Sequence, residues 1–125
     1  TRTYAPLLMG ILNKAELRKH VHGMIHCTGG AQTKVMKFLD KPLHIIKDQL
    51  FDLPPLYKTI HETTGTPLKE MYEVFNMGHR LEIYCDKSIA DELIAQSRSL
   101  GVEAQIIGHC EPAKAKSLTI KGMSY

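Results

Sequence analysis

Tryptophan is absent from the 125 residues, and phenylalanine occurs only three times. Nowhere does a block of Lys and Arg alternate with aromatic side chains, so the basic, stacking surface of a dedicated nucleic-acid binder is missing. No apolar run approaches the roughly 18 residues of a membrane span, and no membrane partner is expected. Cysteine is scarce: Cys27, Cys85 and Cys110 are odd in number, far apart and free of any Cys-x-x-Cys pairing. That argues against a disulfide framework and for a reducing compartment, the cytoplasm. No secretory or lipidation signal is recognisable. An initiator Met is also missing: the chain opens Thr-Arg-Thr-Tyr, directly inside a helical pattern, and is expected to be a piece of a longer protein.

The remaining composition is that of an ordinary globule. Apolar residues make up 43% and charged residues 23%, which excludes a disordered or collagen-like chain. Sixteen Lys and Arg against thirteen Asp and Glu leave a net charge of +3, spread along the chain, with a weak pull on anionic ligands. The length suits a single domain with a core of its own.

Periodicity and turn chemistry supply the element order. Tyr4, Leu7, Leu8, Ile11 and Leu12 follow helical spacing, with Thr3 as a cap and Pro6 in the first turn. Residues 21–27 suit a strand that ends at Thr28-Gly29-Gly30, and a helix is expected over about residues 32–39. Residues 43–46 form a short buried strand. Pro54-Pro55 opens a helix that turns Leu56 and Ile60 inward and stops at Gly65. Thr66-Pro67 starts another, with Leu68, Met71, Tyr72 and Phe75 on one stripe, ending at Asn76-Met77-Gly78. Leu81, Ile83 and Cys85 alternate with Glu82 and Tyr84, the period of a half-buried strand. Ser88-Ile89-Ala90-Asp91 resembles a capping box for a helix closed by Gly101. Strands follow at residues 104–110 and 118–121. The expected fold is α/β (α+β): one domain over residues 1–125, with a mixed β-sheet and helices packed on one face.

Thr28-Gly29-Gly30-Ala31 is the sharpest local feature. It lies between an expected strand and an expected helix, where glycines admit positive φ and free N–H groups can face a phosphate. A plain turn is the alternative. No Lys-Ser/Thr follows, so the loop is not a Walker A motif. His20, His22 and His26 share one strand face; a zinc site is conceivable, a polar sheet face is the simpler reading, and a substrate contact suits His26 best. Asn76 and Gly78 are what a helix C-terminus requires, with ligand contact as the sharper alternative. His79 and Arg80 are candidate anion contacts. Glu70 and Glu73 read as a solvated helix face, and no metal ligand set stands out.

Together these segments resemble a known family, phosphoribosylformylglycinamidine cyclo-ligase, also called aminoimidazole ribonucleotide synthetase. His22-Gly23-Met24-Ile25-His26-Cys27-Thr28-Gly29-Gly30 is similar to its His-x-Thr-Gly-Gly segment, and Thr1-Arg2-Thr3-Tyr4 to the Thr-Arg-x-Tyr that opens its carboxy-terminal domain. Glu70-Met71-Tyr72-Glu73-Val74-Phe75-Asn76-Met77-Gly78 resembles its Glu-Met-Tyr-x-x-Phe-Asn-x-Gly block, and residues 104–108 echo a final Ala-x-x-Ile-Gly. Order and spacing agree over residues 2–108. Two positions and one segment depart: Ala31 stands where a third Gly is frequent, Arg80 replaces a Gly, and Thr33-Lys34-Val35-Met36-Lys37 replaces Glu-Asn-Ile-x-Arg.

The resemblance implies a PurM-like carboxy-terminal domain, one half of a two-domain enzyme of de novo purine biosynthesis. It implies conversion of formylglycinamidine ribonucleotide to aminoimidazole ribonucleotide, with ATP activating the formyl oxygen before ring closure expels phosphate. ATP and Mg would be bound mainly by an amino-terminal domain outside this chain. Thr28, Gly29 and Gly30 would hold a substrate phosphate, with His26, Asn76 and Gly78 lining the same cleft. A homodimer is implied for the full-length protein, and a monomer or weak dimer, inactive alone, for this domain. Other members of the ATP-binding superfamily are the near alternatives: formylglycinamidine synthetase, thiamine-phosphate kinase, selenophosphate synthetase and hydrogenase-maturation proteins. A non-catalytic binding module is the distant one.

Overall fold

A computed structural model describes residues 3–125. The element order is α1 (Ala5–Leu12), α2 (Ala15–Arg18), β1 (Val21–His26), a 3₁₀ helix (Ala31–Lys37), β2 (Leu43–Lys47), α3 (Pro55–Thr64), α4 (Leu68–Val74), β3 (Leu81–Cys85), α5 (Lys87–Ser99), β4 (Gly108–Pro112), β5 (Ser117–Ile120) and β6 (Met123–Ser124). The chain divides into two compact units. One comprises the residues up to Met24 with Ile83–Ile106; the other comprises Ile25–Glu82 with Ile107–Tyr125.

The first unit is built on helical periodicity. Leu7 and Ile11, four apart on α1, are buried, and so are Ile89, Leu93 and Ser97 at the same spacing on α5. With Leu17 of α2 they form an apolar core, in which each fully buried Leu or Ile contributes about 1.5–3 kcal/mol. Thr3 Oγ1 accepts the N–H of Ala5 at 3.2 Å, close to its expected capping role. The expected capping box at Ser88 is not formed. Asp86 is the N-cap residue of α5, and its carboxylate is taken by His20 and His22 instead.

The second unit holds a four-stranded mixed sheet in the order β4-β2-β5-β6. β2 runs parallel to β5, with Ile45 opposite Leu118, and antiparallel to β4, with Lys47 opposite Gly108. β5 and β6 form an antiparallel hairpin whose turn residues, Lys121 and Gly122, are both left-handed, as a tight hairpin requires. Ile45, Leu118 and Ile120 on the sheet and Met71 and Tyr72 on α4 are buried. β1 and β3 pair as a separate two-stranded ribbon, so the strands form two sheets where one was expected.

Four other expectations are corrected. The segment after the glycines is a 3₁₀ helix, not an α-helix, because Gly29, Gly30 and Ala31 all take positive φ (23°, 89° and 44°) and the chain enters from a left-handed turn. Leu56 points outward, and α3 buries none of its residues. The strand expected from residue 104 starts only at Gly108, the first residue able to approach β2; a Cβ there would lie 1.8 Å from the Ile46 carbonyl oxygen. On β3 the alternation is inverted, since Glu82 is the buried residue of the strand.

Candidate functional site

The Thr28-Gly29-Gly30 loop follows β1 and leads into the 3₁₀ helix. Its three successive positive φ values at residues 29–31 bend the main chain into a concave turn, the kind of backbone that gathers N–H groups around an anion. Two ammonium groups sit beside it. Lys34 Nζ donates to the main-chain oxygen of His26 at 2.9 Å and to Thr28 Oγ1 at 3.0 Å. Lys37 Nζ is 3.6 Å from the position a Cβ would take on Gly30. Thr33 closes the turn from behind, its N–H and Oγ1 both donating to the Gly30 carbonyl at 2.9 and 2.8 Å.

The second half of the site is the turn that ends α4. Asn76 Oδ1 accepts the N–H of Gly78 at 2.9 Å and the hydroxyl of Tyr57 at 3.0 Å, so its side chain shapes the turn. Met77 and Gly78 are left-handed, with φ of 55° and 90°, and a Cβ on Gly78 would press on Pro54 Cγ at 2.9 Å. Gln32 joins the two halves: its Nε2 donates to the Asn76 carbonyl at 2.8 Å. Thus Thr28, Gly29, Gly30, Asn76 and Gly78 belong to one connected structure, with His26 at its edge.

The histidines separate. His20 Nδ1 and His22 Nε2 donate to the two carboxylate oxygens of Asp86, at 2.7 and 2.8 Å, and hold that carboxyl below the usual range, the bond from His22 having the larger effect. Among the described residues no group of three His, Cys, Asp or Glu side chains is arranged to hold a metal ion. His79 is no surface anion contact. It is buried, burial pushes its pKa below the ordinary value, and both ring nitrogens are satisfied within the fold. Burial, then the charge of Glu82, pushes the Cys27 thiol up to about 12, which rules it out as a nucleophile at neutral pH.

Beneath the loop lies a buried charge cluster that hydrophobic patterning did not reveal. Lys47 Nζ contacts Glu82 Oε1 at 2.5 Å, the Gln32 carbonyl at 2.7 Å and Gln32 Oε1 at 3.0 Å. The strand expected over residues 43–46 stops short of Lys47, and Glu82 on β3 reads from sequence as the exposed phase of an alternating strand. The only available signal was that Lys47 keeps the parity of Ile45 and so shares its sheet face.

Comparison with known proteins places the chain as a whole. A family model described as "AIR synthase related protein, C-terminal domain" matches residues 5–121. The chain belongs to this family. Thr1 and Arg2 of the opening motif lie outside the described residues, but the other matched blocks fall within the family's domain. Among similar proteins, the phosphoribosylformylglycinamidine cyclo-ligase of Methanopyrus kandleri is 30% identical over 122 residues, covering 98% of this chain and 34% of its own. That of Methanococcus vannielii is 31% identical over 111 residues, covering 89% and 30%. The chain therefore spans about a third of the length of these relatives. Among solved structures, E. coli HypE, a hydrogenase maturation protein, superposes with a TM-score of 0.67 at 20% identity over 98% of this chain and 37% of HypE. A chain of a HypE-HypF complex gives 0.70 at 17% identity, covering 100% and 41%. These likenesses establish the α/β fold of the AIR synthase related domain. Among the described residues no helix is long and apolar enough to cross a membrane.

Proposed function

We propose that the chain is the substrate-binding carboxy-terminal domain of an ATP-dependent cyclo-ligase acting on formylglycinamidine ribonucleotide. The observation that carries this reading is the left-handed Thr28-Gly29-Gly30 turn with the Lys34 and Lys37 ammonium groups beside it. A ribonucleotide phosphate suits such a turn: main-chain N–H groups give directed bonds and the two lysines neutralise a dianion. Similarity to curated cyclo-ligases over 98% of the chain supports the choice of reaction.

In this reading the domain grips the phosphate and orients the ribosyl base for ring closure, a contribution of positioning and charge neutralisation. Thr28 supplies a hydroxyl already polarised by Lys34, and His26 lies two residues before it on the strand end. ATP, with Mg, would supply the phosphoryl group that activates the formyl oxygen. By the family resemblance, both would be bound mainly by an amino-terminal part of the enzyme that this chain does not span. That part would also carry a homodimer contact, leaving this domain inactive alone and monomeric or weakly associated. Three free cysteines fit the reducing cytoplasm.

The replacement of Glu-Asn-Ile-x-Arg by Thr33-Lys34-Val35-Met36-Lys37 favours a second reading, a divergent superfamily member that takes a different phosphate ester at the same loop. A chimera separates the two. The matched carboxy-terminal part of the Methanopyrus kandleri enzyme is exchanged for this chain and ring closure is assayed. Formation of aminoimidazole ribonucleotide is expected. A folded, ATP-hydrolysing chimera that closes no ring overturns the first reading, and turnover by this chain alone overturns the assignment of ATP to the rest of the enzyme.

A further inference from the structure

Two residues of the site hold left-handed backbone without being glycine: Ala31, φ 44°, and Met77, φ 55°. A side chain with a Cβ is strained there, and such backbone persists only where its surroundings over-determine it. Both residues flank one bridge. Gln32 directly follows Ala31, and its Nε2 donates to the carbonyl of Asn76, which directly precedes Met77, at 2.8 Å.

The bridging side chain is fully buried, with Gln32 at 0% exposure, and the Asn76 end of the bridge is half-buried. An amide at that depth is useful only if its orientation is unique, and Lys47 makes it so. The three N–H donors of the ammonium meet Glu82 Oε1, the Gln32 carbonyl and Gln32 Oε1. With Oε1 held by a cation, Nε2 is the end that must face Asn76. Lys47 sits on β2, paired on one side with β4 and on the other with β5, so the anchor is rigid. Its charge is matched by Glu82, both side chains being almost wholly buried.

A buried ion pair is a poor source of stability, because an apolar pair of the same volume is often as stable. What an apolar pair lacks is direction. We propose that Lys47 and Glu82 are positioning residues: they hold Gln32 as a cross-brace that keeps the Thr28-Gly29-Gly30 loop and the Asn76-Met77-Gly78 turn in one anion-receiving conformation. The part concerning the anion rests on the phosphate reading of the loop; the brace itself does not.

The test is the double variant Lys47→Met/Glu82→Leu in the ¹⁵N-labelled chain. Amide hydrogen exchange and cross-peak positions are followed at residues 28–32 and 76–79, and ribose 5-phosphate is titrated as the probe. The melting midpoint should stay within about 5 °C of the parent. Exchange at both turns should rise at least about tenfold while the rest of the sheet keeps its protection. The Gly29, Gly30 and Gly78 cross-peaks should move, and ribose 5-phosphate affinity should fall at least about tenfold. Parental exchange at both turns overturns the proposal, whatever the ligand does. A parent that fails to bind ribose 5-phosphate overturns the phosphate reading, and exchange alone then decides the brace. Should the double variant not fold, Gln32→Met removes the brace and leaves the ion pair in place. Local acceleration at both turns in that variant supports the proposal, and parental exchange overturns it.

Discussion

His79 Nε2 accepts the main-chain N–H of Phe51 at 3.1 Å. The other ring nitrogen donates to the Met77 carbonyl at 3.2 Å, so the imidazole is neutral and its tautomer is set. Protonation would place an N–H against an N–H inside the fold. Burial already lowers the pKa of this ring, with the Glu82 charge opposing it. The unfolded chain takes up its proton near the ordinary value of about 6.5, while the folded chain refuses it until lower pH. Stability from His79 is therefore complete above about pH 6.5 and is lost as pH falls from there toward the folded value. The melting midpoint of the chain should drop as pH falls below about 6.5, and that of His79→Gln, which accepts without titrating, should drop less. Parallel curves for parent and variant would contradict the assignment.

Asp86 should govern the acid limb. Hydrogen bonds from His22, and then His20, hold its carboxyl below the ordinary range. Stability from this group is present above about pH 4 and is lost as pH falls through the depressed folded value. Asp86→Asn should flatten the stability profile below about pH 4 and shift the imidazole resonances of His20 and His22 at neutral pH. Unchanged imidazole resonances would show that the contacts do not persist in solution.

Gly108 should be the least replaceable glycine among those described. A Cβ there would meet the Ile46 carbonyl oxygen at 1.8 Å and Lys47 Cα at 2.9 Å, main-chain atoms that cannot move aside. Gly108→Ala should cost about 3 kcal/mol, read from the midpoint of denaturant unfolding. Gly122→Ala is the control: its φ of 80° is strained but its Cβ meets nothing within 4 Å. It should cost only about 1 kcal/mol. Equal costs would mean that β4 does not lie as close to β2 as found here.

Anion capture should depend on the loop and its lysines separately. Gly30 has φ 89°, and a Cβ there would meet Lys34 and Lys37 at an unforced 3.6 Å, so Gly30→Val should strain the turn and crowd an incoming phosphate without unfolding the sheet. Losing one charge-assisted bond, about 1.5–3 kcal/mol, weakens ribose 5-phosphate by about ten- to a hundredfold. Lys34→Met should give a similar loss that shrinks as salt rises, because the parent binds less tightly there. Calorimetric affinities equal to the parent in both variants would return the loop to the role of a plain turn.

Much of this molecule is legible residue by residue. Pro55 in the first turn and Gly65 at the end of α3, with its φ of 69°, follow from local chemistry alone, as do the stripes of α1 and α5. The Thr28-Gly29-Gly30 loop and the Asn76-Met77-Gly78 turn stand out for the same reason: glycine beside Thr or Asn marks backbone that other residues avoid. Their local signals act over a few residues, so neither burial by distant partners nor charge pairing enters them. Leu56 carries an apolar side chain to the surface because nothing in the described fold covers it.

Glu82 and Lys47 mark the boundary between the two kinds of information. Each is a charged residue, and Glu82 belongs by its own neighbours to an exposed strand position. Their burial is decided by a partner 35 residues away and by Gln32, 15 residues from Lys47. A charge enters a core only when its counter-charge and hydrogen-bond acceptors arrive with it. Local patterning accounts for the stripes of α1 and α5 and for the glycine turns, and the resemblance of whole motifs pointed to the family. The buried ionic brace and the inverted phase of β3 are decided by the tertiary structure, because only with β2 in its place in the sheet do Lys47, Glu82 and Gln32 satisfy one another away from water.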